Sequence, residues 1–411
     1  MKVLWFEVTQ PHGYISNDCV LGGWQDSLEV IVKKCSDIEL LIAFQSDKYE
    51  EIKVVDNVTY IPIKINKSFV ERLKCRFSWF SDASLVVSKA VRVIEKFSPD
   101  IIHVFGNEWP WGLVAEHTDI PVVIHIQGSI VPYYNAILPP KYSTLSILSY
   151  HFPNPVKMAS FLQNHIKNHS WLEMEKRIWK CVDNYMGRTN WDYALSRVLA
   201  PKSKYYHVEE ALRPMFLNTE KLWQVPSSNK IKIITTGIST FWKGPDMLLK
   251  TASVLKQLDV EFEWTVAGNI DDSLRKMIEK KEKTTFKENN VNILGFVKPD
   301  KLIELLSECT MMVHTAYIEN SPNSICEAQC LGVPVVSTNV GGISTLVRDG
   351  VDGILVPAND PWQMVYNIVS LSQDTERMKT MSRMTRERAL SRHNPDNILG
   401  QLLDCYRSIL K

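Results

Sequence analysis

The sequence predicts an α/β protein built from two Rossmann-like, doubly wound domains facing across a cleft. Three observations carry this. Apolar strand-like runs alternate with amphipathic helix-like runs through both halves of the chain, the pattern of parallel sheets covered on both faces. A Pro-Ser-Ser-Asn tract within Glu220–Ile231 interrupts the alternation near the middle, as a linker does. A length of 411 residues exceeds what one ordinary core organises.

The first domain, residues 1–218, opens with the strand KVLWFEV and a glycine turn feeding the helix of LGGWQDSLEVIVKKC. IELLIAF is a second strand, ASLVVSKAVRVIEKF a helix, and PDIIHVFG and IPVVIHIQG are strands ending at glycines. Residues 133–180 loosen into an aromatic, basic, helical region, after which DNYMGRTNWD reads as another strand end. The second domain, residues 219–390, runs IKIITTG, GPDMLLKTASVLKQL, EFEWTVAG, VNILGFV, DKLIELLSEC and TMMVHTA as alternating strands and helices. SPNSICEAQCLGVPVV adds a helix and a strand, and GVDGILV one more strand. Residues 391–411 form a C-terminal helix, with a return to the first domain as one option.

Composition excludes several classes. Apolar residues make up 45%, charged residues 23%, and the formal net charge is +1, so no nucleic-acid partner is indicated. The eight cysteines are scattered; Cys326 and Cys330 share a helix face and read as small core residues. MKVLWFEVTQ meets Glu7 too soon for a signal peptide, and no apolar run is long enough to span a bilayer. A reducing, cytoplasmic location fits.

Chemistry concentrates in the second domain. Ser321 is a preferred N-cap, Pro322 suits the first helical position, and Gly332 with Pro334 ends the helix. A short helix directly after a strand offers free N–H groups to an anion, with Asn323 and Ser324 as the backbone donors. Glu327, in the second turn, leans back toward that end, as an acidic group accepting from ribose hydroxyls beside a phosphate would. Glu319 lies on the other side of the anion, suited to sugar hydroxyls or a developing positive charge. Lys243, on a strand-to-helix loop before Pro245, is placed to neutralise a diphosphate, and Gly237 and Gly244 let backbone approach a ligand. Either charged residue alone reads as an ordinary solvated group; their combination carries the reading.

That combination resembles the C-terminal half of family 4 glycosyltransferases with the GT-B fold. The family's paired glutamates, seven residues apart and followed by Ala and a Gly-Val-Pro-Val segment, stand here as E319-NSPNSIC-E327-A and G332-V-P-V. Gly237 with Lys243-Gly244, VAGN at 266–269 (Gly268), NILGFV at 292–297 and GGISTLVRDGVDGILVP at 341–357 agree in order and spacing over roughly 180 residues. The resemblance implies that Glu319 contacts the transferred sugar, Glu327 binds the ribose of a nucleotide-sugar donor, and Lys243 stabilises the departing diphosphate. Backbone around Asn323 and Ser324 cradles that diphosphate, and Gly295 to Val297 lie against the base. It further implies transfer with retention of configuration, no cofactor, and no bound metal; Asp271-Asp272 reads as adjacent acids in a loop.

Two departures stand out. Ile238 occupies the place where the family commonly has a diphosphate-binding arginine, and Asn-Ser-Pro replaces a usual Gly-Phe-Gly between the glutamates. Arg188 or Arg213 is a candidate replacement cation, with an ordinary surface salt bridge as the alternative for each.

In the first domain, Gly22-Gly23 fits the family's turn near donor phosphate and sugar, or is a plain loop. Gln127 falls where many members have a sugar-facing histidine, and could bond a sugar hydroxyl. His125 reads as a satisfied buried histidine. The aromatic and basic segments 72–80 and 133–180 are expected to pack and to form the acceptor side of the cleft, with docking on anionic lipid as the other reading. The expectation is a cytoplasmic, retaining hexosyltransferase of polysaccharide or glycoconjugate synthesis, peripheral membrane association being open. Its substrates are a nucleotide-sugar donor and a glycan or lipid-linked acceptor. A sugar-nucleotide epimerase and a non-catalytic nucleotide-sugar-binding scaffold are the rivals.

Overall fold

A computed structural model of the chain describes residues 1–14, 23–152, 154–228 and 230–411. Alternate residues of its first strand enter different cores: Leu4 and Phe6 one, Val3 and Trp5 the other. A strand apolar on both sides must be covered on both faces, which is why the runs of the first half read as continuous rather than alternating.

Eight strands form the sheet of the first unit: β1 (Lys2–Glu7), β2 (Glu39–Gln45), β3 (Lys53–Val55), β4 (Val58–Ile63), β5 (Ile101–Phe105), β6 (Val122–His125), β7 (Asn184–Gly187) and β8 (Lys204–His207). Their order is β3-β4-β2-β1-β5-β6-β7-β8. All pairings are parallel except β3 with β4. That hairpin, absent from the sequence reading, turns on Asp56 and Asn57 at φ 50° and 65°, the positive φ pair that a tight two-residue turn demands. The helix Pro395–Leu410 belongs to this unit. Its buried Tyr406 accepts from Trp5 Nε1 at 3.0 Å and meets His103 Nδ1 at 2.6 Å, so the C-terminal segment completes the core beneath β1 and β5.

The second unit holds β9 (Ile231–Thr236), β10 (Phe262–Ala267), β11 (Val291–Gly295), β12 (Met311–His314), β13 (Val335–Thr338) and β14 (Ile354–Val356). These lie in the order β11-β10-β9-β12-β13-β14, all parallel. Proline stands at the start of the helices Pro245–Gln257, Pro299–Glu308 and Pro361–Gln373, where its missing N–H costs nothing. Thr235 ties the sheet's middle together: its Oγ1 accepts from the buried Trp264 Nε1 at 2.9 Å and donates to Val313 O at 2.6 Å.

The first unit comprises Met1–Tyr134, Thr144–Arg213 and His393–Lys411; the second comprises Asn135–Ser143 and Pro214–Arg392. The division therefore falls just before Pro214, and a nine-residue piece of the loose central region joins the second unit. The helix Pro155–Cys181 organises the rest of that region. Trp79 stacks on Trp171 at 5.1 Å and Trp179 on Tyr185 at 4.5 Å, as a packed aromatic region should. Other apolar side chains of the same segments, Phe77, Leu145, Leu162 and Ile166 among them, face water, where the sequence reading favoured packing. No helix among the described residues is long and apolar enough to cross a membrane.

Candidate functional site

The strand order of the second unit reverses between β9 and β12, and in open α/β sheets ligands sit beyond the carboxyl ends of strands at that point. The two loops leaving these strands are stitched to each other. Tyr317 N donates to Trp242 O at 2.7 Å, and Thr315 Oγ1 donates to Gly244 O at 2.9 Å. Gly244 takes φ +73°, and a Cβ there would sit 1.9 Å from Thr315 O, so the close crossing requires glycine. This stitching brings Lys243 Nζ onto the carboxylate of Glu319 as an ion pair.

The Glu319 backbone is held from a third loop. Gly342 N donates to Glu319 O at 3.0 Å, and a Cβ on Gly341, at φ +51°, would lie 1.9 Å from that same oxygen. Beneath the carboxylate is His314, buried at the end of β12, its Nε2 3.9 Å from Glu319 Oε2 and its Nδ1 3.3 Å from Ser337 Oγ. Burial pushes the imidazole down to about 4, opposed by Glu319 and reinforced by the positive charge of Lys243. It is therefore neutral at physiological pH and leaves the charge at this point to Lys243 and Glu319. Sequence reasoning passed over His314, although its place at a strand end shortly before Glu319 was visible.

The following helix is Asn323–Cys330, one residue later than the capping pattern predicts. Pro322, at φ −72° and ψ 119°, is the N-cap, in place of Ser321. Extended ψ at Pro322 accounts for the shift, since a first helical residue needs helical ψ. The amides of Ile325 and Cys326 close on Pro322 O, while those of Asn323 and Ser324 stand in the first turn, which has no helical acceptors. Glu327 is buried in the second turn and Gly332, at φ +79°, ends the helix. Cys326 and Cys330 are buried and form no disulfide.

At the ends of β9 and β10, Gly237 and Gly268 come together: a Cβ on Gly268 would lie 3.4 Å from Gly237 N, whereas one on Gly237 would meet nothing within 4 Å. Backbone there is open to a ligand. Gly268 bridges to Gly295, beyond which Val297 is half-buried. Ile238 is buried in the core, so this position directs an apolar side chain inward where a cation would have to face out. Asp271 caps the helix Asp272–Glu282 by accepting from Ser273 N and Leu274 N.

Two further residues, invisible to motif reasoning, support the Lys243 loop. Buried Asp246 accepts from Tyr317 Oη at 2.9 Å and Lys250 Nζ at 2.8 Å. Tyr142, from the nine-residue piece that joins this unit, places its ring 4.9 Å from Phe241 and its Oη 3.5 Å from Glu282. Burial raises the pKa of both phenols, so they stay protonated.

The remaining candidates lie in the first unit. Gly22 falls outside the described residues. Gly23 is the N-cap of the helix Trp24–Val32, with open space where a Cβ would be. Gln127 is half-buried just past β6. His125 is fully buried edge-on to Trp24, ring centroids 4.7 Å apart, and burial drives it well below the usual histidine range. Arg188 is buried with its Nε 2.9 Å from Glu210 Oε2 and an Nη donating to Ile126 O at 2.9 Å. The pair is buried, where the alternative reading of Arg188 expected a surface salt bridge. Arg213, at the end of the first unit, is half-buried.

Residues 219–388 match the family of glycosyl transferases group 1. The C-terminal unit is a group 1 glycosyl transferase domain. Over 155 residues the chain is 29% identical to D-inositol 3-phosphate glycosyltransferase of Paenarthrobacter aurescens, covering 36% of this chain and 37% of that protein. Over 192 residues it is 23% identical to N-acetyl-alpha-D-glucosaminyl L-malate synthase of Bacillus anthracis, covering 47% and 49%. The chain thus matches less than half the length of either curated relative. Among solved structures, sucrose-phosphate synthase from Thermosynechococcus elongatus superposes with a TM-score of 0.70 at 15% identity, covering 99% and 98% of the two chains. Anabaena HepE in complex with UDP-glucose gives 0.67 at 17%, covering 99% and 100%. These likenesses show the α/β GT-B fold beyond the group 1 domain, over the length of the chain.

Proposed function

We propose that the protein is a glycosyltransferase that takes a nucleoside-diphosphate sugar and transfers its sugar, with retention, to a hydroxyl of a glycan or lipid-linked acceptor. The observation that carries this is the Lys243–Glu319 ion pair at the switch point of the group 1 domain. A cation held there with a carboxylate, near the helix start at Asn323 and the open backbone at Gly237, suits a sugar diphosphate: the cation meets the phosphates and the carboxylate accepts from sugar hydroxyls.

When a donor arrives, its diphosphate competes with Glu319 for Lys243. Lys243 moves to the phosphate oxygens, joined by the amides of Asn323 and Ser324. The released Glu319 carboxylate turns to the sugar hydroxyls, and Glu327 accepts from the ribose. As the bond from the anomeric carbon to the diphosphate oxygen breaks, Lys243 and the helix start stabilise the leaving charge. The acceptor oxygen bonds the anomeric carbon on the same face, and its proton passes to the departing phosphate. These residues supply charge without a metal ion. Gly23 and Gln127 are the first-unit groups assigned to donor and sugar.

HepE binds UDP-glucose, which makes uridine-diphosphate sugars the first donors to test. Incubation with a panel of nucleotide sugars and a mixed glycan acceptor should release nucleoside diphosphate in step with product, and the product's anomeric proton coupling reports retention. A new sugar nucleotide without acceptor would mark an epimerase. Donor binding without turnover would mark a scaffold, the reading that buried Ile238 favours.

A further inference from the structure

The first sheet has a switch point of its own, between β1 and β5, and the last residue of β1 is Glu7. Val3 and Trp5 of this strand share a core with Trp24 and Leu28 of the helix Trp24–Val32. The two-residue period of a strand puts the Glu7 side chain on the same side. Glu7 is fully buried, and among the described residues neither of its carboxylate oxygens has a hydrogen-bond partner. Buried polar groups in native proteins are nearly always partnered, so this one calls for an explanation.

Two more acids meet it from that helix. Asp26 and Glu29, one turn apart, are buried as well. Glu29 is occupied, since Tyr60 Oη, from β4, donates to its Oε1. Asp26 Oδ1 has no hydrogen-bond partner. Burial, with Glu29 and Asp26 close by, holds the Glu7 carboxyl well above the usual range. Burial and then Glu29 push Asp26 up to about 7. No cation among the described residues offsets either acid, so protons take that place.

The surroundings favour an organic cation as the natural partner. A metal ion needs more oxygen ligands than two open carboxylates supply. A protonated amine needs only two or three acceptors, and aromatic rings suit it. The rings on this side of the sheet already hold cations: the Arg188 guanidinium lies 5.0 Å from the Trp24 ring and Lys53 Nζ 4.4 Å from the Tyr14 ring. Arg188 is committed to Glu210. A cavity of about 400 Å³ reaches Glu7 at this sheet edge, with Gln45 and Asp47 also in its lining, which is room for a sugar ring.

We propose that Glu7 and Asp26 bind a protonated primary amine, and that the acceptor of the proposed transfer is a glycan bearing an amino sugar. The ammonium donates to the Glu7 carboxylate and to Asp26 Oδ1, and the sugar ring that carries it lies in the cavity. The word acceptor rests on the transferase reading; the amine site does not.

The test is isothermal titration of the full chain, without donor, comparing glucosamine and galactosamine with glucose and N-acetylglucosamine. At least one amine should bind at least about tenfold more tightly than the neutral sugars. Titrations in buffers of different ionisation enthalpy, at about pH 7, should show proton release as the ammonium displaces protons from the two acids. Glu7→Gln with Asp26→Asn should erase both the preference and the proton release. That variant should melt at or above the wild type, since two uncompensated buried acids are gone. Amines that bind no tighter than the neutral sugars, an absence of proton release, or a preference that survives in the double variant would overturn the proposal. Sodium or calcium binding that the double variant loses, with no amine bound, would overturn it too, assigning the acids to an inorganic ion. Because no donor is present, failure here leaves the transferase reading standing, and a failed transfer assay leaves the amine site standing.

Discussion

Lys243 holds the carboxylate of Glu319 across 76 residues of chain, and two glycines make the pairing possible. Gly244 lets the lysine loop cross Thr315, and Gly341 lets a third loop press against the Glu319 backbone. In the proposed reaction this pair is the resting state of the donor site, opened by the incoming diphosphate.

Removing either partner should therefore damage chemistry more than folding. Lys243→Ala should raise the donor KM and lower kcat by roughly 10²- to 10³-fold, the scale of losing one preorganised charge at a leaving group. Glu319→Ala should abolish transfer while melting near the wild type. Steady-state kinetics with thermal melts on the same samples decide it, and full activity in either variant contradicts the assignment.

The glycine crossings predict a stability series. Gly244→Ala and Gly341→Ala combine a left-handed backbone with a Cβ 1.9 Å from a carbonyl oxygen. Gly350 shares the left-handed backbone, at φ +74°, but has nothing within 4 Å. Gly350→Ala should cost about 1–2 kcal/mol in urea unfolding from backbone strain alone. The other two should cost at least about 2 kcal/mol more than that, or fail to fold. Equal costs across the three would show that the loops yield.

His314 gives a pH prediction with a definite sign. Burial lowers its folded pKa to about 4 from an ordinary 6.5. Below pH 6.5 the unfolded chain takes up a proton that the folded state refuses, so stability falls as pH drops from 6.5 toward 4. The full loss is about 3 kcal/mol, and above pH 6.5 the residue contributes no pH dependence. In a side-chain NMR titration the His314 ring should stay neutral from pH 8 to about 5.5. An inflection near 6.5 would mean that the imidazole is solvated and that the pocket under Glu319 is wet.

Tyr142 should act by positioning the lysine loop. Tyr142→Ala removes the ring from Phe241 and should weaken donor binding about tenfold, with less effect on kcat. Tyr142→Phe keeps the ring, loses only the long contact to Glu282, and should restore binding. If both variants bind donor like the wild type, the contact is packing alone.

The geometry around the proposed donor site was legible where it is set locally. Glycines before helices, prolines at helix starts and the spacing of Glu319 and Glu327 are written in neighbouring residues, and the loops form where those residues sit. The helix start was off by one because Pro322 takes an extended ψ and so becomes the cap itself. Tyr142 left no signal, since its partner Phe241 lies far along the chain and nothing local marks an aromatic for that contact. The hairpin at Asp56-Asn57 was written in the sequence as a turn between β-branched runs and was passed over. For segments 72–80 and 133–180 the sequence left packing and exposure both open, because periodicity shows that a stripe exists and only tertiary packing decides whether it faces a core.

If the group 1 domain binds a sugar diphosphate, Lys243 should carry much of that binding. Isothermal titration of the wild type and of Lys243→Met with UDP-glucose and other nucleoside-diphosphate sugars tests it most directly. At least one donor should bind the wild type, and the variant should bind it at least about tenfold more weakly. Binding that is unchanged in the variant, or absent for every donor, would contradict it.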